Sequence, residues 1–158
     1  MWYLKLILLI VLGAILYQDY KKRLVYWFLY PIVGILGFAI QSYYLSMELA
    51  FLNSGINLLF VAILIGVSFV YVKLRKMAFQ NAIGMGDILF FIFISFSFAT
   101  VSFIVLFVFA LVFSLILHFI FQHKNQLKTV PLAGYMALFF GVVYAATFCS
   151  DSTFLYAY

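Results

Sequence analysis

From Ile88 to Phe121 the chain carries no charged side chain, and that single run decides most of what it can fold into. As one helix it would extend about 50 Å at 1.5 Å per residue, well past a hydrocarbon core of about 30 Å even with tilt. A run this long and apolar belongs in a membrane and has to turn there. The small polar residues of "SFSFATVS" (95–102) are the expected turn, leaving a short helix before them and a full-length one after. Composition agrees: 69% of the 158 residues are hydrophobic and only 8% charged, against roughly half and a quarter in a soluble domain. There is too little polar surface to coat a water-facing globule.

Cutting the rest of the chain at its polar clusters gives six apolar segments, near 2–18, 24–44, 52–72, 87–99, 101–121 and 131–148. The expected fold is therefore all-α: one polytopic membrane domain over 1–158 with six transmembrane helices. Charge placement supports six. With the amino end outside, the inner loops are 19–23, 73–86 and 122–130. They collect Lys21, Lys22, Arg23, Lys73, Arg75, Lys76, Lys124 and Lys128, eight of the nine basic residues, with Lys5 the exception. That bias is the positive-inside pattern, and it puts both termini on the non-cytoplasmic side. The first apolar run, "LILLIVLGAIL", reads as a retained helix rather than a signal peptide, because the strong basic cluster follows it and no small-x-small site precedes that cluster.

The net charge of +5 is accounted for by these loop clusters, so nucleic acid is not an expected partner. Cys149 is alone, which excludes an internal disulfide and a zinc framework. His118 and His123 are five apart and do not share a helix face as i, i+4 ligands do. No metal and no cofactor is expected. The aromatic load, 22% of residues, reads as lipid contact and core packing.

Four acids remain: Asp19, Glu48, Asp87 and Asp151. Glu48, in an expected outer loop around 45–55, and Asp151, in the tail, read as solvated loop acids. The other two differ. Asp19 ends helix 1 and Asp87 begins helix 4, both at the inner boundary, where a bare charge beside hydrocarbon is costly. If helices 1 and 4 are neighbours, the two carboxylates face each other. A close pair cannot ionise twice and holds one proton between its members. The ionised member can draw a proton from water while the protonated one donates to a scissile carbonyl, and the pair titrates as a unit. Gly84 and Gly86, lacking Cβ atoms, would let a substrate backbone or a helix come close to Asp87. Each acid also has an ordinary reading: Asp87 as a helix cap, Asp19 as an offset to Lys21, Lys22 and Arg23.

"GMGD" at 84–87 resembles the GxGD signature of membrane-embedded aspartyl proteases. The layout is similar to the type IV prepilin peptidase and preflagellin peptidase family. In that family a first Asp follows helix 1 and leads a basic stretch, as in "YQDYKKRLVYW" here, and the second is the Asp of GxGD at the start of helix 4. The resemblance implies Asp19 and Asp87 as the catalytic pair, with Gly84 and Gly86 as motif residues. "VPLAGYMAL" (130–138) is similar to the family's proline motif opening its last helix, which brings in Pro131, although a second proline usually stands where Gly134 does. Other departures are Tyr26-Trp27 where Pro-Asn is frequent, and Leu89 where Lys is frequent. The paired CxxC region of the long bacterial form is absent, so peptidase activity without methyltransferase activity is expected. The presenilin group shares GxGD but pairs it with Tyr-Asp in the preceding helix, whereas here the order is Asp19-Tyr20.

The resemblance implies an endopeptidase of the plasma (inner) membrane that cleaves the basic amino-terminal leader of prepilin-like precursors at the cytoplasmic face, with precursor and membrane lipid as its partners. The alternative is a non-catalytic membrane subunit, an assembly factor or small transporter, with structural Asp residues.

Overall fold

Helices form wherever the apolar runs allow, because a backbone in lipid must satisfy its own N–H and C=O groups. The computed structural model describes residues 2–75, 84–121, 131–148 and 155–156. It contains α1 (Trp2–Lys22), α2 (Leu29–Tyr44), α3 (Met47–Leu74), α4 (Met85–Ile94), α5 (Thr100–Phe121) and α6 (Leu132–Ala146). The protein is an all-α, polytopic membrane protein. Three helices, α1, α3 and α5, are long and apolar enough to cross a bilayer; α2, α4 and α6 are apolar but shorter. Lys76, His123, Lys124, Lys128, Cys149 and Asp151 lie outside the described residues.

The outward faces are as apolar as the inward ones. Ile10, Leu59, Ile63, Phe109 and Phe119 are all exposed, as expected of helices solvated by lipid. Inside, α6 packs against α1, α5 and α4; α2 packs against α1, α4 and α3; and α3 also meets α5. A column of rings runs through the middle: Tyr30 on Phe90, Phe90 on Phe140, Phe140 on Phe98 and Phe98 on Tyr144, with centroids 5.2–6.4 Å apart. Such pairs contribute about 0.5–1.5 kcal/mol each beyond burial. Gly34 and Gly37 on α2 admit α4 closely: an added Cβ would meet the Phe93 ring at 2.8 Å or overlap the Ser97 side chain.

The expected turn in the long apolar run is present. Helix α4 ends at Ile94 and α5 starts at Thr100, and the break between them is buried in protein, where non-helical backbone at membrane depth is tolerated. Its carbonyls find side-chain donors. Asn57 Nδ2 donates to the carbonyls of Ser95 (3.0 Å) and Phe98 (2.9 Å), Gln41 Nε2 donates to Phe98 (3.1 Å), and the Tyr144 hydroxyl donates to Ser97 (3.2 Å).

Three boundaries differ from the sequence reading. The outer loop expected around 45–55 shrinks to Leu45 and Ser46, because Ser46 caps α3 by accepting from the Leu49 amide at 3.4 Å. Glu48 then sits in the first turn of α3, where its charge suits the helix dipole, and is not a loop acid. Helix α1 runs on to Lys22, which places Asp19 in its last turns. Helix α4 begins at Met85, so Gly86 is already helical and Asp87 is its third residue. The one basic residue away from the inner clusters, Lys5, is buried. It reaches the carbonyl of Thr147, the residue capping the C-terminus of α6 (3.5 Å), with Tyr44 and Phe148 rings each 5.8 Å away. A cation at a helix C-terminus, covered by aromatic faces, is in favourable company.

Candidate active site

Helix α6 starts cleanly because Pro131 precedes it as its capping residue and supplies no N–H of its own. The next amides, those of Ala133 and Gly134, belong to the orphan donors of a first helical turn and point out of the helix end. Both are taken by carboxylates. Asp87 Oδ1 accepts from the Ala133 amide at 2.8 Å, and Asp19 Oδ2 accepts from the Gly134 amide at 2.7 Å. Such a bond to an ionised carboxylate contributes about 1.5–3 kcal/mol, and the positive end of the α6 dipole favours negative charge on the pair. Consecutive amide nitrogens in a helix lie about 3 Å apart, so the two accepting oxygens are less than about 9 Å from each other.

The acids, 68 positions apart, are thus gathered by a third element. The sequence reading required α1 and α4 to be neighbours. The extensive packing instead runs from α6 to α1, with a small contact from α6 to α4, and the first-turn amides of α6 bring the side chains together. Asp19 is buried and Asp87 half-buried. They lie within Coulombic range of each other, and of the Tyr30 hydroxyl and the Arg23 guanidinium.

Three glycines make the room. A Cβ at Gly134 would come within 2.9 Å of Asp19 Oδ2 and 3.0 Å of Asp19 Cβ; one at Gly84 would come within 2.9 Å of Asp87 Oδ2; one at Gly86 would come within 2.7 Å of the Tyr30 hydroxyl. Gly84 is therefore a seat for the Asp87 carboxylate itself, which also interacts with the Gly84 backbone, an arrangement like the return arm of a capping box. Gly86 accommodates Tyr30. Pro131 stands at the cap of α6 and fixes where the two amides begin.

Sequence reasoning missed Tyr30, which resembled any other ring of an aromatic-rich chain, and the two amide donors, which leave no side-chain signature. It treated Gly134 only as a departure from a motif. A glycine in a first helical turn costs about 1 kcal/mol relative to alanine, and that penalty was the available signal of a close approach. Arg23 was counted only as an inner-loop charge. His118 lies in the last turn of α5, and its Nδ1 is buried without a hydrogen-bond partner among the described residues.

Chemically, one amide holds one oxygen of each carboxyl group, Ala133 that of Asp87 and Gly134 that of Asp19, and the remaining lone pairs are left for water or a substrate group. Among the described residues no cluster of three or more His, Cys, Asp or Glu side chains is placed to hold a metal ion. Compared with family models, curated proteins and solved structures, the chain matches none.

Proposed function

We propose that the protein is an integral-membrane aspartyl endopeptidase of the prepilin-peptidase type, in which Asp19 and Asp87 share one proton and activate water against a peptide bond. The observation that carries the reading is the convergence of both carboxylates on consecutive amides of α6. Two acids brought from separate helices to one helix end, one buried and one half-buried, form a poor salt-bridge site and a good acid–base pair. The ionised member takes a proton from water, the water oxygen attacks the carbonyl carbon, and the protonated member donates to the carbonyl oxygen. Collapse of the tetrahedral adduct then returns a proton to the leaving amine. The substrates in this reading are precursors with a basic leader followed by an apolar helix, cut at the cytoplasmic face. Six spans with both termini outside place the site there, consistent with the inner clustering of Lys and Arg.

A second reading rests on the same bonds: each acid is a cap that ties α1 or α4 to the start of α6, and the protein is a non-catalytic membrane subunit. Asparagine separates the two, because its side-chain oxygen still accepts from an amide but cannot perform acid–base chemistry. Co-expression with candidate precursors, followed by reading the new amino terminus, is the test. Cleavage by the wild type that disappears in Asp19→Asn or Asp87→Asn protein of normal abundance supports the peptidase. Reporter fusions at 75–80 and 124–128 should read cytoplasmic and one after Tyr158 external; a cytoplasmic carboxyl end would overturn the six-span arrangement.

A further inference from the structure

Helix α1 ends on a residue that ordinary helix chemistry would make glycine. Arg23 has φ +54°, the left-handed region that β-carbon-bearing side chains avoid, and its amide closes the helix onto the Asp19 carbonyl at 3.1 Å. A strained position is kept when the side chain it carries is needed where it points. The Arg23 side chain turns inward: its Nε and Nη1 are buried and have no hydrogen-bond partner among the described residues. Unpaired buried donors are uncommon and costly, most of all on a charged group. The guanidinium is within Coulombic range of both carboxylates, yet it donates to neither.

We propose that Arg23 is the substrate-backbone clamp of this site, the N–H groups of its two unpaired nitrogens, Nε and Nη1, taking peptide carbonyl oxygens of an extended segment laid across Asp19 and Asp87. The inference rests on the peptidase reading and adds how the substrate is held. Charge balance selects the ligand. A pair sharing one proton carries one negative charge, which the guanidinium offsets, so a neutral carbonyl keeps the buried site balanced. A substrate carboxylate would leave a net charge beside hydrocarbon, at a penalty. Arginine suits the task because its donors are spread in a fixed plane and are never deprotonated.

The test uses full-length protein in detergent or liposomes and a precursor that the wild type cleaves. If the wild type cleaves no precursor, the peptidase reading fails, and this inference with it. Given cleavage, Arg23→Gly and Arg23→Lys are compared by KM, kcat and pH profile. Glycine suits the left-handed backbone, so the helix end is retained while both donors are lost; lysine keeps the charge without the planar donor set. The expected result is a KM raised about tenfold or more in Arg23→Gly, a smaller rise in Arg23→Lys, and a loss falling mainly on KM. Three results would overturn the proposal. The first is an unchanged KM in Arg23→Gly. The second is a shifted pH profile with unchanged KM, restored by Lys, which would make Arg23 only a charge neighbour of Asp19, Asp87 and Tyr30. The third is a KM defect reproduced by removing acidic side chains from the precursor, with Arg23→Gly adding nothing, which would mean that the guanidinium reads a carboxylate. Failure of Arg23→Gly to accumulate as folded protein would assign the side chain a structural role and also count against the clamp.

Discussion

Polar groups are buried in two regions of this membrane protein, and they are handled differently. At the break between α4 and α5, neutral amides and hydroxyls from α2, α3 and α6 donate to the exposed carbonyls of 95–98. Among the described residues, the amide oxygen of Asn57 and the Ser97 hydroxyl stay unpaired there. At the start of α6 the partners are ionisable: two carboxyl groups on two amides, with a guanidinium beside them whose Nε and Nη1 have no hydrogen-bond partner among the described residues. The first region resolves a problem created by its own backbone, since the break frees carbonyls that the helices cannot satisfy. The second sets two ionisable groups from separate helices on the first-turn amides of α6; under the proposed peptidase reading they do acid–base work there, and under the structural reading they are caps.

The contrast can be broken by mutation. The largest effect expected is on cleavage: Asp19→Asn or Asp87→Asn should lower kcat/KM by about a thousandfold or more while the protein stays folded, and the double variant should lose little further, because the pair acts as a unit. Precursor processing by purified protein measures it, and near-normal cleavage in either single variant would equate the two regions as structural. Next in size is the break. Asn57→Leu strands the Ser95 carbonyl and leaves Phe98 only its bond from Gln41; it should destabilise the fold by about 2–3 kcal/mol, read by unfolding in mixed micelles, with kcat per folded molecule unchanged. A smaller effect is expected at Gly134→Ala. Its Cβ would press on Asp19, and displacing a reacting group on the order of 1 Å can cost about a hundredfold in rate. The loss expected is tenfold to that limit, with little change in stability because alanine favours the helix by about 1 kcal/mol. Gly66→Ala, where an added Cβ meets nothing within 4 Å, should leave the rate unchanged and raise stability by about 1 kcal/mol at most.

Much of this was legible in the chain itself. The apolar runs announced helices, and the uncharged stretch from Ile88 to Phe121 required a turn that falls at 95–99, as "SFSFATVS" suggested. Asp19 and Asp87 stood out because acids are so few. Local chemistry hid other features. Ser46 extends α3 backward through the expected loop, since a cap and a first-turn Glu48 outweighed the polar look of that stretch. The gathering role of α6 was invisible because its donors are backbone amides, the same at every residue. Arg23 looked like one more inner-loop cation, and a left-handed backbone at a non-glycine residue cannot be read from composition.

The central claim is that Asp19 and Asp87 are one acid–base pair, and infrared titration of the carboxyl bands tests it most directly. The chain has only four side-chain carboxyl groups, so each band can be assigned with Asp19→Asn, Asp87→Asn, Glu48→Gln and Asp151→Asn variants. The account predicts a protonated-carboxyl band that titrates in two coupled steps in the wild type, and that removing either Asp changes the titration of the other. Asp19 and Asp87 titrating independently, each unmoved by loss of the other, would contradict it and leave the two acids as separate caps on α6.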